Sequence, residues 1–504
     1  MQSYNTNSAG EYASYNRMKD VNDILDRNGR SIDTIITELK AKSVNPPRWS
    51  EMKQVLIPRN HKIHDDHNQR RDREVEGGIE EAARIYLGLE ALLAKRVNQF
   101  TFTIPVKREY TNIDNDAQRE IAKAIERIYQ EADIDTVNFE RGLAYFMSCE
   151  IYTLWFAVRK PNSLYGFKSE WKLHCKTFSP YIDDMELYPL LDEYDDMVCM
   201  SVNYKKTVGD MKVEFFETWT ADKHFKWKRT GEEGWEDDLF YTDGEGIVTI
   251  GRDSAIKKIP GAYAWRPKPI YEQGTPRLRE DAEYKHSEDS DILAYNAAPL
   301  IKVVGKMAGD EKKYEARRLI RVENGGDVGY VSWQGSTEAV EAHIRRDVDW
   351  FWALNQMPDI SFRNLMSLGN IGYDARQMML TDAFLKIGEE SRPLQQMFRR
   401  ECNVIKAFLK MMNPNWSEED IDHVLVKHII TPYIPKDEQL EINKRMAANG
   451  GKPLESQRES IARYGKSPDV EATMNEIEKE QAAAVQRQME ANLAAMATQT
   501  AIPT

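Results

Sequence analysis

Between Thr275 and Pro299 the chain carries a helix-length run with almost nothing apolar to bury. Thr275 suits an N-cap and Pro276 the first helical position, where a missing N–H costs little. The stretch from Pro276 to Ala298 holds Glu280, Asp281, Glu283, Glu288, Asp289 and Asp291 but few large apolar side chains, and Pro299 closes it. At 1.5 Å per residue such a helix spans about 35 Å. Lacking an apolar stripe, it is expected to bridge solvent or to pack against copies of itself.

The elements around this run follow from pattern. A second helix is predicted after Ser336, with Glu338 in its first turn and Val340, Ile344, Val348 and Phe351 in one stripe, closed by Pro358. Strand signals at Leu300–Val304 and Leu319–Val322 flank the charged stretch Ala308–Arg318, and Gly325-Gly326-Asp327 turns into Val328–Trp333. The two helices therefore bracket a small α/β insertion. Ser361–Tyr373 reads as a loop in which Gly369 and Gly372 frame Asn370-Ile371, and a longer helix is predicted over Ala375–Met412, interrupted near Arg392-Pro393.

Upstream, Gly78–Arg96 reads as a helix, Phe100–Ile104 as a strand, and Ile121, Ile125, Ile128 and Tyr129 fall at helical spacing. Another helix through Phe146 leads into short β-rich runs, Tyr152–Val158, Met197–Val202, Lys212–Glu217 and Phe225–Lys228, which indicate an α+β domain with antiparallel strands. Downstream, His428–Pro435 reads as a strand. The Ala-, Glu- and Gln-rich tail from Pro468 to Met496 is either a coiled-coil-like partner helix or a solvated one.

Composition excludes several functions. With 504 residues, 41% of them apolar and 30% charged, the chain is of ordinary soluble make-up and long enough for two to four structural units. It holds no uninterrupted apolar run of about 18 residues, so no transmembrane helix is expected, and Met1–Asp20 lacks the apolar centre of a signal peptide. Cys149, Cys175, Cys199 and Cys402 have no C-x-x-C spacing and are expected as free thiols in a reducing compartment. A net charge of −13 argues against wrapping nucleic acid by phosphate neutralisation. Neither a P-loop nor a G-x-S-x-G elbow is present.

Two clusters carry competing readings. His61, His64 and His67 with Asp65 and Asp66 have side chains able to bind a transition metal, or they form a solvated polar face. The metal reading would make the chain a metal-dependent DNA-processing enzyme; no second cluster completes a site, and no metal or other cofactor is assigned. Trp350, Phe351 and Trp352 fit core or intersubunit packing better than a base-stacking platform.

The succession of elements resembles the portal proteins of tailed double-stranded-DNA bacteriophages, from about Arg48 to Lys479 and most densely from Pro267 to Leu409. Lys268-Pro269-Ile270 precedes the polar helix. Leu319–Trp333 looks like the family's clip strands, and Gly369-Asn370-Ile371-Gly372-Tyr373-Asp374-Ala375 like its tunnel loop. Arg445–Gly465, with Gly450-Gly451 and Ser460-Ile461-Ala462-Arg463, is similar to the crown. The resemblance implies a mixed α+β fold: an N-terminal arm over 1–47, wing over 48–274, stem helices over 275–299 and 336–358, and an α/β clip over 300–335. A tunnel loop follows over 359–375, a long wing helix and strand over 376–435, and a helical crown and tail over 436–504. The arm matches nothing in the family and is expected to wrap a neighbouring subunit.

It further implies a non-enzymatic dodecameric ring in the virion, assembled in the host cytoplasm. Such a ring passes double-stranded DNA and contacts the terminase large subunit, head-completion (adaptor) proteins, and major capsid and scaffold proteins, with no membrane. Arg363, Asn364, Met366, Leu368 and Asn370 are the candidates for the tunnel loop, where Met366 and Leu368 either narrow the tunnel or anchor the loop. Glu280, Glu283 and Asp291 are candidates for a channel-facing acidic surface, with an outer solvated face or intersubunit salt bridges as the competing reading. Lys306, Asp310, Lys312, Lys313 and Arg317 are the clip docking candidates. Another minor virion structural protein is the remaining alternative.

Overall fold

The computed structural model describes residues 21–26, 29–65, 70–75, 78–194, 196–242, 248–296, 300–304, 327–331, 337–359, 378–433, 456–464 and 470–499. They fall into two compact units, Met1–Tyr433 and Ile434–Thr504. The first unit begins with helices α1 (Ile32–Lys42), α2 (Trp49–Leu56) and α3 (Lys62–Asp65), strands β1 (Arg73–Val75) and β2 (Gly78–Glu80), helix α4 (Leu89–Phe102), strand β3 (Lys107–Thr111), and helices α5 (Asp116–Glu131) and α6 (Ile134–Ser148). Then come β4 (Glu150–Asn162), β5 (Ser169–Phe178), β6 (Glu186–Leu191), β7 (Met197–Val208), β8 (Met211–Trp219) and β9 (Lys223–Thr230). Short strands β10 (Glu236–Asp237), β11 (Phe240–Thr242), β12 (Val248–Ile250) and β13 (Arg252–Asp253) precede β14 (Gly261–Trp265). Helix α7 (Thr275–Asn296), strands β15 (Leu300–Val304) and β16 (Asp327–Val331), helices α8 (Thr337–Leu354), α9 (Thr381–Met412) and α10 (Glu418–His423), and strand β17 (Leu425–Ile429) complete it.

The β-rich runs form an antiparallel meander ordered β10-β9-β8-β7-β6, with β13 on β9, and a separate sheet β14-β4-β5. Gly209 supplies the positive φ (+63°) that the two-residue turn between β7 and β8 requires. Alternation along β8 sends Val213, Phe215 and Trp219 to one face of the sheet. The fold class read from sequence, mixed α+β with antiparallel strands, is what the chain adopts. All four cysteines are free, and three of them are buried. Among the described residues no helix is long and apolar enough to cross a membrane.

The described part of the N-terminal segment, from Val21 on, packs on its own chain. Val21, Ile24, Leu25, Ile35, Ile36 and Leu39 bury against Leu190, Cys199, Phe216 and Trp227 of the chain's own meander. Ser31 caps α1 by accepting from Thr34 N at 3.2 Å.

Other differences from the expected elements have identifiable causes. The helix predicted over Gly78–Arg96 begins only at Leu89, and residues 81–88 run without helix because the side chains of α7 take up their backbone N–H groups (below). The strand predicted at Phe100–Ile104 is the end of α4. Its alternating aromatics are both buried because successive faces of this helix meet core. Helix α9 continues through Pro393 instead of breaking there. Proline removes one N–H, at a cost of about 3 kcal/mol, while Leu394, Met397 and Phe398 immediately beyond it are buried in the main core.

In that region Arg141 on α6 meets Glu401 on α9 through paired contacts of 2.7 and 2.9 Å, both side chains 1% exposed. Three polar side chains join them: Asn138 Oδ1 accepts from Arg141, Thr153 Oγ1 lies at 3.1 Å, and Trp155 Nε1 donates to Glu401 at 2.9 Å. Burial raises the Glu401 carboxyl, but Arg141 beside it more than reverses that and holds it below the usual range.

The second unit contains α11 (Gln457–Tyr464) and α12 (Val470–Gln499). Ser456 and Glu459 form a reciprocal capping box at the start of α11, and Arg458 pairs with Glu471 of α12.

Replacing Arg141 with Met strands a buried carboxylate and should cost about 3–5 kcal/mol in denaturant unfolding; Arg141→Met/Glu401→Met should recover most of that loss. A second test uses Glu150, which donates to or accepts from nothing charged and contacts Tyr263 Oη at 2.8 Å. Burial pushes its carboxyl up to about 8. A raised carboxyl favours folding at low pH, and that contribution disappears as pH climbs from the unfolded value of about 4.3 through 8. Glu150→Gln should therefore gain on the order of 3–5 kcal/mol over the wild type at pH 9, with little difference at pH 4.

Candidate functional site: the paired helices and their hairpin

Helices α7 and α8 are joined by a hairpin and run antiparallel. Near one end Glu272 N donates to Asn355 Oδ1 at 2.9 Å, and further along Asp281 meets His343 at 2.7 Å. Asn355 is fully buried, so the chain's entry into α7 is tied to its exit from α8. The hairpin pairs β15 and β16 from Leu300↔Val331 to Val304↔Asp327. The stripe expected on α8 ends in Phe351 and Trp352, both in the main core, whereas Trp350 is exposed.

The polar helix does bury one face within its own chain, contrary to the expectation from composition. Arg279, Glu283, Ser287 and Asp291 stand four residues apart and form a single row. Against this row lies the extended segment 83–87, running the opposite way. Ala83 N donates to Asp291 Oδ1 at 2.9 Å, Ile85 N to Ser287 Oγ at 2.8 Å, and Leu87 N to Glu283 Oε1 at 2.7 Å. Four helical residues advance about 6.0 Å and two extended residues about 6.6 Å, so the two repeats nearly coincide. Side chains of a helix thus serve as the hydrogen-bonding edge that a neighbouring strand would provide.

Charged groups close both ends of the row. Arg279 reaches Glu90 at 2.9 Å and Glu283 at 2.6 Å. Arg70 donates to the carbonyls of Ala83 and Ser287, both at 2.9 Å, and pairs with Asp291. Burial pushes Glu90 up to about 6, against the pull of Arg279. Glu283 is 1% exposed and so cannot line a channel; Asp291 is held by Arg70 and Ala83. Glu280, 3.2 Å from Lys62, and Asp291 both remain partly exposed.

The histidine cluster is also taken apart. His61 is completely buried, with Nδ1 2.6 Å from Glu283 and Nε2 2.9 Å from the carbonyl of Val55, so both ring nitrogens face acceptors. Its burial takes His61 itself out of both a solvated face and a solvent-open metal site, whereas Asp65 is exposed. His64 instead lies against the Tyr86 ring, and His67 falls outside the described residues. The remaining candidates, Arg363, Asn364, Met366, Leu368 and Asn370 of the tunnel loop and Lys306, Asp310, Lys312, Lys313 and Arg317 of the clip, also lie outside them.

The described chain nevertheless fixes where the first of those segments starts. Arg96 stacks 4.2 Å over Trp352 and binds the Pro358 carbonyl and Asp359, each at 3.2 Å. A further group was missed by sequence reasoning. His343 and Asp347 are an i, i+4 pair on α8 that converges with Asp281 of α7. The pair is visible in the sequence; its third member, 62 residues away, is not.

Residues 284–487 match the family model described as phage portal protein, SPP1 Gp6-like. The match begins within α7 and covers the hairpin, α8, α9, α10, β17, α11 and most of α12. Similar solved structures include the virion of a native gene transfer agent particle, at 12% identity and a TM-score of 0.35, covering 86% of this chain and 99% of that one. Another is the neck of an empty gene transfer agent particle, at 12% identity and a TM-score of 0.36 over the same shares. No curated protein matches the chain.

The helix-edge ladder predicts that Ser287→Ala, which leaves the Ile85 N–H buried and unpaired, costs about 1–3 kcal/mol in denaturant unfolding. The amides of Ala83, Ile85 and Leu87 should also resist hydrogen exchange in the wild type, and Ile85 should lose that protection in the variant.

Proposed function

We propose that this chain, a phage portal protein of the SPP1 Gp6-like kind over residues 284–487, works as the subunit of a dodecameric ring at one capsid vertex. Double-stranded DNA passes through the ring during packaging and again during ejection. The observation that carries the reading is the family match itself, which lies on the helical hairpin and the long helix. Two physical features support it. Leu293 on α7, Trp350 and Leu354 on α8, and Leu385 on α9 are large apolar side chains left exposed on these elements. Such side chains suit a head-to-tail interface that closes into a ring. The formal charge of −13 becomes −156 over twelve copies, and a wall of that sign keeps phosphates from adhering.

Within this reading, residues 48–274 and 376–435 form the wing, α7 and α8 the stem, and 300–335 the clip. The terminase large subunit docks at the clip first, through Lys306, Asp310, Lys312, Lys313 and Arg317, and head-completion proteins follow. Arg363 and Asn364, with Met366, Leu368 and Asn370, meet DNA from the tunnel loop. Major capsid and scaffold proteins hold the outer surface. The protein is a structural, non-enzymatic conduit of the virion assembled in the host cytoplasm, and a partner ATPase supplies the packaging force.

Negative-stain electron microscopy of the purified full-length chain should give end-on rings of about twelvefold symmetry with an open centre. A chain that stays monomeric and compact overturns the proposal. Replacing residues 305–326 with a Gly-Gly link should leave rings intact but abolish terminase binding in a pull-down; unchanged binding removes the clip from the docking role.

A further inference from the structure

Across the α7–α8 contact, Asp281, His343 and Asp347 each turn one ligand-type atom toward a common point, all within 4.8 Å of one another. His343 Nε2 lies 2.7 Å from Asp281 Oδ2 and 3.4 Å from Asp347 Oδ2. Asp347 is 7% exposed, and its Oδ2, facing this gap, is buried without a hydrogen bond. A carboxylate oxygen withdrawn from water with only the more distant side of a shared imidazole to face it is costly. Among the described residues, the cation that touches the group is Arg346, whose guanidinium sits 2.6 Å from the other ring nitrogen, Nδ1.

We propose that Asp281, His343 and Asp347 form a binding site for a divalent transition-metal ion, which staples α7 to α8. For ligands about 2.0–2.1 Å from a tetrahedral ion, neighbouring ligand atoms stand roughly 3.3 Å apart. The two distances from His343, 2.7 and 3.4 Å, lie on either side of that, and all three atoms stand within 4.8 Å of one another. One imidazole with two carboxylates suits Zn²⁺ or Mn²⁺ better than Mg²⁺ or Ca²⁺, which favour all-oxygen sets. Asp281 is about half exposed and His343 about a third, so the ion enters from solvent and water completes its coordination. Binding at Nε2 moves the ring proton to Nδ1, and the Arg346 guanidinium swings into solvent. The two carboxylates then share a dication in place of a single N–H.

Zn²⁺ titration of the chelator-stripped full-length protein by calorimetry tests this, alongside His343→Ala and Asp347→Asn. The wild type should bind Zn²⁺ at a site whose affinity falls more than about tenfold in each variant. Its thermal midpoint should rise with Zn²⁺, and those of the variants should not. Because His343 is partly exposed, His343→Ala should match the wild-type circular dichroism spectrum and thermal midpoint in chelator, which separates lost binding from lost fold. No Zn²⁺ binding, or affinity unchanged in either folded variant, overturns the site. Mg²⁺ binding as tight as Zn²⁺ overturns its assignment to transition metals.

Discussion

The contact between Arg141 and Glu401 ties together elements far apart in the sequence. It joins α6, the long helix α9 and, through Thr153 and Trp155, strand β4. A buried charge pair adds little net stability over an apolar pair of the same shape. What it adds is intolerance of alternatives, since any packing that separates the partners leaves a charge without water or counter-charge. Across the 260-residue separation of Arg141 and Glu401 the chain must therefore return α9 to one position. That position also sets how α9 presents the exposed side chains at its beginning.

A comparable constraint shapes the polar helix. Its sequence looks like a surface element, yet Arg279, Glu283 and Ser287 are among the most buried polar groups of the chain. They are tolerated there because each has a fixed partner, several of them backbone N–H groups that would otherwise be unpaired. The same helix therefore offers two faces. One is satisfied internally by residues 83–87 and by Arg70; the other meets α8 and carries the exposed Leu293.

Elements with a single dominant period were legible in the sequence. The apolar spacing of α5, the stripe on α8 and the alternating runs of β4, β7, β8 and β9 all appear where pattern places them. The errors arose where tertiary contacts override pattern. Residues 81–88 have helix-compatible spacing, but their N–H groups are claimed by side chains nearly 200 residues away. Phe100 and Phe102 alternate like a strand because they lie on a helix surrounded by core. Glu283 was recognisable as a candidate by its charge, but its inward direction depends on His61 and Arg279, and the first of these pairings has no local signal. Asp281, His343 and Asp347 converge for a similarly nonlocal reason.

The row on α7 and the segment it holds behave as a vernier. Each step is about 0.6 Å longer on the extended chain than on the helix, so two steps put the scales more than 1 Å out of phase. The side chains absorb this because they are not equal in reach: a short Asp at one end, Ser in the middle and a longer Glu at the other. Each further rung would add another 0.6 Å of mismatch for its side chain to absorb. Beyond Leu87 the match passes from backbone to side chain: Gly88 caps α4, and Arg279 reaches Glu90 in its first turn.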